Sequence, residues 1–266
     1  MEAKLTLIGA GPGNGELITL KGIRALKTAD VVLYDELANA ELLEFAPEHA
    51  LKIYVGKKAG NAAFTQNEIN GLIVRLARKR GHVVRLKGGD SFVFGRGHEE
   101  MEYARDHNIN VEVVPGVSSC IAVPASMEIP VTRRGVSESF WVITGTTRNG
   151  ELSEDMQLAV QSKATVIVLM GMSKLNEICD LYKRFGRGYL PMAVIQNGTR
   201  PDEKSVIGQV WEMPYLIKEN NIGTPAIMIL GEVVALHPSY AMEYLRSKDF
   251  SRPGAPVIEN LESLNC

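Results

Sequence analysis

Cysteine is scarce in this chain of 266 residues. There are three, Cys120, Cys179 and Cys266, with no CxxC spacing. An odd count without close pairs argues against a disulfide framework and fits a reducing cytoplasm. Long apolar runs are missing as well. The longest, such as residues 166–172, fall far short of a membrane span, which needs about 20 apolar residues. No membrane partner is therefore expected. Charge of one sign is not in excess, since the formal net charge is −2. That argues against general nucleic-acid binding, which depends on basic surface. It leaves room for a local basic pocket around an acidic small molecule. The five histidines are scattered and show no metal-ligand spacing, so no metal site is expected. Met1-Glu2-Ala3-Lys4-Leu5 runs straight into a strand, with no signal peptide, as expected of a cytoplasmic protein.

What is present is a globular composition, 45% hydrophobic and 23% charged. The length allows one large domain or two small ones. The most distinctive stretch is Arg85-Leu86-Lys87-Gly88-Gly89-Asp90-Ser91-Phe92-Val93-Phe94-Gly95-Arg96-Gly97. It starts as a buried strand and breaks at Gly88-Gly89. Two glycines after a strand allow positive φ and let a ligand approach the backbone. Ligands of open α/β sheets sit just beyond the carboxyl ends of the strands. Asp90 adds an acceptor there, and Arg96 a cation between two glycines. A plain strand-to-helix turn with a surface arginine is the alternative reading of this stretch alone.

In chain order, residues 5–9 form a first strand, followed by Gly9-Ala10-Gly11-Pro12-Gly13-Asn14-Gly15. Thr19 caps a helix with Leu20, Ile23 and Leu26 on one face. Residues 31–34 form a second strand ending at Asp35. This resembles a dinucleotide-binding unit, but the fingerprint needs a third glycine where Asn14 stands, and Pro12 removes a backbone N–H donor. A nicotinamide or flavin site is not expected. A third strand, 51–55, leads to Gly56-Lys57-Lys58-Ala59-Gly60. This is either a solvated turn or a place where Lys57 meets an acidic ligand or moves a proton. Thr65 to Glu68 is a capping box for a helix carrying Ile69, Leu72, Ile73 and Leu76. The strand leading to Gly88, a helix over about 99–106 and a strand at 111–114 follow.

Pro115-Gly116 marks a domain hinge. Ser118-Ser119 opens a helix limited or kinked by Pro124; the two hydroxyls suit either capping or a polar ligand. Ile129-Pro130-Val131-Thr132-Arg133-Arg134-Gly135 is a loop with two arginines. Further strands are expected at 140–144, 165–170, 192–196, 205–208 and 226–230. Ser173 is expected to cap a helix bearing Leu175, Ile178, Leu181 and Tyr182. The division is an N-terminal α/β domain over 1–114, a C-terminal α/β domain over 115–240 and a tail over 241–266.

Several of these motifs in this order make the chain resemble the tetrapyrrole methylases over about residues 4–237. The resemblance rests on residues 8–13, Val32-Leu33-Tyr34-Asp35, residues 54–60 and residues 85–97. In the second half it rests on Val114-Pro115-Gly116-Val117, residues 129–134, Leu169-Met170-Gly171 and Asn197-Gly198-Thr199. It implies two α/β domains with S-adenosylmethionine in the cleft between them, and a homodimer. Carried over, the cofactor contacts are Pro12, Gly88, Gly89, Asp90, Val93, Ser118, Ser119, Met170 and Gly198. The proton acceptor and donor fall on Asp35 and Lys57, with Arg96 as a second candidate for the acceptor or as a carboxylate ligand.

The reaction implied is two methyl transfers to ring carbons of uroporphyrinogen III, giving precorrin-2 on the sirohaem and cobalamin branch. Lys57, Arg96, Arg133 and Arg134 would meet the substrate's carboxylates, with Glu99 beside them. Lys57 and Arg96 favour this substrate over the protein substrate of diphthine-type relatives. The chain departs from the family pattern at Asn14, Ser91, Ser118-Ser119 and Arg133, where Asp, Pro, Thr-Ala and His are usual.

Overall fold

Short β-branched runs separated by glycine-rich turns give ten strands among the described residues of the computed structural model, which are 2–56 and 64–240. The first half contains β1 (Lys4–Gly9), α1 (Leu20–Leu26), β2 (Val31–Tyr34), β3 (Leu51–Tyr54), α2 (Gln66–Arg80), β4 (His82–Lys87), α3 (Gly97–Asp106) and β5 (Asn110–Val114). The sheet order is β3-β2-β4-β1-β5, and every pair is parallel. Val31, Val32 and Leu33 are fully buried, as a strand covered on both faces requires. Ile69, Leu72, Ile73 and Leu76 of α2 cover one face, and Leu26 and Leu42 cover the other.

The helices start where local chemistry directs. Glu68 N donates to Thr65 Oγ1, and the Glu68 carboxylate accepts from Thr65 N, which is the expected capping box. Thr19 Oγ1 accepts from Gly22 N at 3.1 Å. Leu20, expected on the buried face of α1, is instead 77% exposed. Gly22 makes the close approach to the sheet, because a Cβ there would meet Ile8 Cγ2 at 3.1 Å. Leu20 lies two positions away, about 200° around the helix, and so faces outward.

The second half contains α4 (Ser119–Ser126), β6 (Phe140–Thr144), α5 (Asp155–Ala159), β7 (Thr165–Leu169), α6 (Leu175–Arg184), β8 (Pro191–Gln196), β9 (Lys204–Gln209), α7 (Met213–Glu219) and β10 (Ala226–Leu230). Its order is β6-β7-β10-β8-β9; β6 and β7 are parallel and the other pairs antiparallel. Alternation along β10 sends Met228 and Leu230 to the core under α5, α6 and α7. Ile227 and Ile229 go to the core shared with Cys120 and Val123 of α4. Leu175, Ile178, Leu181 and Tyr182 are buried as expected. Ser173 does not cap α6: it sits inside a short 3-10 turn, and its hydroxyl pairs with Thr146 Oγ1 at 3.3 Å. The expected tail over 241–266 lies outside the described residues.

One backbone junction ties the first sheet to α4. A Cβ on Gly9 would lie 2.5 Å from Gly116 Cα, and one on Gly116 would lie 2.4 Å from Gly89 O. The ends of β1 and β4 and the exit from β5 meet there, at backbone contact distance. Gly71, inside α2, is the opposite case, with nothing within 4 Å of an added Cβ. Gly71→Ala is expected to stabilise the protein by roughly 0.5–1 kcal/mol through helix propensity. Gly116→Ala should cost about 1–3 kcal/mol through overpacking. Denaturant midpoints of the two variants check both signs.

Candidate active site

The two glycine turns at the ends of β1 and β4 are bound to each other. Gly11 N donates to Gly89 O at 3.2 Å, and Gly89 N donates to Gly11 O at 2.7 Å. Gly89 has φ +64°, and an added Cβ would meet only Ser119 N, at 3.9 Å. Its outer side is therefore open backbone. Asp90 fixes this turn with both oxygens: Oδ1 accepts from Phe92 N at 2.8 Å, and Oδ2 from Gly116 N at 2.9 Å. The carboxylate thus holds the turn against the start of the second half.

Beyond this turn lies a cleft of about 370 Å³ between the two halves. The first half contributes Pro12, Asp35, Leu37, Lys87 and residues 88–90 and 93–96. The second contributes Ser118, Ser119, Val123, Met170, Asn197 and Gly198. All nine expected cofactor contacts line it, together with Asp35 and Arg96. Leu37, Val123, Leu169, Ile195 and Ile227 make its apolar surface. Ser118 is the N-cap residue of α4 but makes no side-chain cap bond, so capping does not use its hydroxyl. Gly198 is glycine for packing reasons, because a Cβ would lie 2.5 Å from Val123 Cγ1. Phe94, Arg96, Met170 and Asn197 all line the cleft with φ between +52° and +58°. Such left-handed non-glycine residues are uncommon and cluster at functional sites.

Two features fit a polar organic ligand. Asp35 Oδ1 and Asn197 Oδ1 are buried acceptors with no hydrogen-bond partner among the described residues, and both residues line the cleft. The open backbone at Gly89 gives such a ligand an edge to lie against.

A buried chain of charges runs behind the wall. Arg85 Nη2 donates to Asp35 Oδ2 at 3.1 Å, and Arg85 Nε to Glu100 Oε1 at 3.2 Å. Lys87 Nζ donates to the same Glu100 oxygen at 3.0 Å, and Gln66 Nε2 joins it at 3.2 Å. The Glu100 side chain is fully buried. Burial, and then the neighbouring Arg85, push the Lys87 ammonium below its ordinary range. These residues were not assigned from the sequence. The signal was there: Arg85 and Lys87 are two apart in a strand, hence on one face of a buried sheet.

A second cavity of about 780 Å³, lined by Thr65, Gln66, Asn67, Arg96, Glu99 and Arg148, adjoins the cleft. Gln66 and Arg96 line both. Arg96 Nε and Nη2 grip Glu99 Oε1 and Oε2 at 2.8 and 2.6 Å. Arg133 and Arg134 lie elsewhere, exposed on a turn closed by Arg133 N donating to Ser137 O at 2.8 Å, and line neither cavity. Lys57 lies outside the described residues.

Asp90→Ala is expected to cost about 1.5–3 kcal/mol, the range for hydrogen bonds to a charged group, and to weaken S-adenosylhomocysteine binding by loosening the turn. A melting curve and a calorimetric titration check this; unchanged affinity would remove Asp90 from the site.

The family model for Tetrapyrrole (Corrin/Porphyrin) Methylases matches residues 4–214. The chain is 43% identical over 236 residues to a uroporphyrinogen-III C-methyltransferase of Methanocaldococcus jannaschii, covering 88% of this chain and 98% of that one. It is 42% identical to a siroheme synthase of Chromobacterium violaceum, covering 86% of this chain but only 49% of that protein. Among solved structures, the uroporphyrin-III C-methyl transferase of Thermus thermophilus, complexed with S-adenosyl homocysteine, superposes with a TM-score of 0.75. It is 39% identical, with 88% of this chain and 99% of that chain covered. With its cleft at the Gly88-Gly89-Asp90 turn and this breadth of likeness, the chain belongs to the tetrapyrrole methylase family.

Proposed function

We propose that this chain transfers methyl groups from S-adenosylmethionine to uroporphyrinogen III, twice, to give precorrin-2. The observation that carries the reading is the 43% identity to a protein of that activity over 98% of its length. The cleft agrees with it: both halves contribute a buried acceptor, Asp35 and Asn197, and apolar lining, Leu37 from one and Val123 and Ile227 from the other, and a wider cavity adjoins. We assign residues 1–114 and 115–240 as the two domains whose facing edges form the cleft. The same reading takes the protein as a cytoplasmic homodimer.

S-adenosylmethionine, when bound, supplies an electrophilic methyl group. The protein's part is alignment and proton removal. Holding methyl donor and ring carbon in line is worth roughly 7–11 kcal/mol. Gly88, Gly89, Ser118, Ser119 and Asn197 would fix the polar parts of the donor, and Met170, Val93 and Pro12 its apolar contacts. Leu37, Val123 and Ile227 keep water out of the reacting space.

After transfer the macrocycle carries an extra positive charge and must lose a proton. Asp35 is the base in this reading. Arg85 holds Oδ2 in place. That leaves Oδ1, buried and without a described partner, as the accepting atom. Lys57 would return a proton, and Arg96 would take a substrate carboxylate at the junction of the two cavities. Arg133 and Arg134 would meet substrate carboxylates only outside the two cavities described.

Anaerobic incubation with uroporphyrinogen III and S-adenosylmethionine, followed by mass spectrometry, is expected to show a gain of two methyl groups. A product with no added methyl overturns the reading. Asp35→Asn should lower kcat about 10²–10⁴-fold, as loss of a general base does, while S-adenosylhomocysteine affinity stays unchanged. An unaltered kcat would remove Asp35 as the base.

A further inference from the structure

Arg96 is the cation at the junction of the cleft and the larger cavity, yet its fork is already filled. Glu99 takes it with two near-parallel bonds, at 2.8 and 2.6 Å. This is the geometry in which a guanidinium grips any carboxylate. Glu99 lies three residues on, in the first turn of α3, so it reaches Arg96 without help from another element. The Arg96 backbone is held at φ +58° as the residue before that helix. Both side chains are about half exposed, 55% and 51%. Two-bond geometry is the favourable case for an exposed pair, but solvent reaches both groups, so another carboxylate of the same geometry can take the place of Glu99.

Arg148 supplies the other half of the arrangement. It comes from the loop after β6, in the opposite half of the molecule, and lines the same cavity as Arg96 and Glu99. The bond from Arg96 holds the Glu99 carboxyl below its usual range, and the Arg148 charge acts in the same direction. Glu99 therefore shares a cavity with two guanidinium groups and is bonded to Arg96, the one that also lines the cleft.

We infer that Glu99 is an internal stand-in for a substrate carboxylate. It fills the Arg96 fork in the free protein and passes to Arg148 when a carboxylate of the incoming ligand takes its place. The inference rests on the proposed function and adds to it how the carboxylate site is kept formed before the substrate arrives. Arg96 keeps a partner in both states, so its guanidinium is never left unpaired. A ligand without a carboxylate has no means of displacing Glu99, which gives the site a selectivity that a free arginine lacks.

The test is a double-mutant cycle on Glu99→Gln and Arg148→Gln, reading KM for uroporphyrinogen III, kcat and S-adenosylhomocysteine affinity. Glu99→Gln removes the competitor and should lower KM about threefold, within the range of an exposed pair. Arg148→Gln leaves Glu99 on Arg96 and should raise KM by a similar factor. In the double variant the Arg148→Gln penalty should vanish, since no carboxylate remains to be received. S-adenosylhomocysteine affinity should hold in all three, which also reports an intact fold. A rise in KM for Glu99→Gln overturns the inference, because Glu99 would then only be positioning Arg96. Persistence of the Arg148→Gln penalty in the Glu99→Gln background also overturns it, by making Arg148 a direct substrate contact. Either result, with wild-type methylation intact, leaves the proposed function standing. A wild-type chain that adds no methyl group removes both.

Discussion

The contact among the Gly9, Gly89 and Gly116 backbones is the constraint on which the rest of the structure depends. No side chain fits between them, since an added Cβ at Gly9 or Gly116 would lie within 2.7 Å of backbone. The meeting sets β1, β4 and the exit of β5 at one point. It thereby brings the start of α4 to the carboxyl edge of the first sheet. Asp90 secures it by accepting Gly116 N. The floor of the cleft is therefore main chain, whose position changes little with side-chain rotamers. A ligand laid on it meets a preformed surface and loses less entropy in binding than a flexible site would demand.

The second support is electrostatic. Asp35, Arg85, Glu100 and Lys87 form a chain of alternating charge behind the wall, with Arg85 and Glu100 almost wholly inaccessible. Buried charge is stable only when every member is paired, and removing one partner of such a set costs about 3–5 kcal/mol. Each charged group here has an opposite partner, while Glu100 Oε2 has no hydrogen-bond partner among the described residues. That network places the Asp35 carboxylate, which lines the cleft together with Asp90 and is held through Arg85. Packing and chemistry are joined here: α3 supplies Glu100 to the network and, one residue earlier, Glu99 to the cavity.

All ten strands follow from short apolar runs bounded by turn chemistry, and the capping box at Thr65 and the buried faces of α2 and α6 were equally legible. Local signals failed where a distant element decided. Leu20 belongs to the apolar stripe of α1 by spacing, but the approach of Gly22 to Ile8 turned it outward. Ser173 has the residue type of a cap, yet its hydroxyl is drawn to Thr146 across the strand ends. The cleft lining was readable at Gly88-Gly89-Asp90 and at Asp35, where polar residues lie next to a strand end. The family resemblance extended that to Ser118, Met170 and Gly198. Arg148 and Glu100 carried no local mark, because what places them is the approach of one half to the other and the return of a helix over the sheet. The two arginines at 133 and 134 show the converse: a conspicuous basic pair in sequence that the fold leaves on an exposed turn outside both cavities.

The measurement closest to the central claim is a crystal structure of the chain with S-adenosylhomocysteine. Density lying on Gly88, Gly89 and Asp90 and bounded by Ser118, Ser119 and Met170 is the predicted result. Another hollow of about 620 Å³, between Asn39 and Glu41 on one side and Thr199 to Asp202 on the other and sharing Arg200 with the cleft, offers the molecule an alternative place. Density there, with the glycine turn bare, would contradict the account.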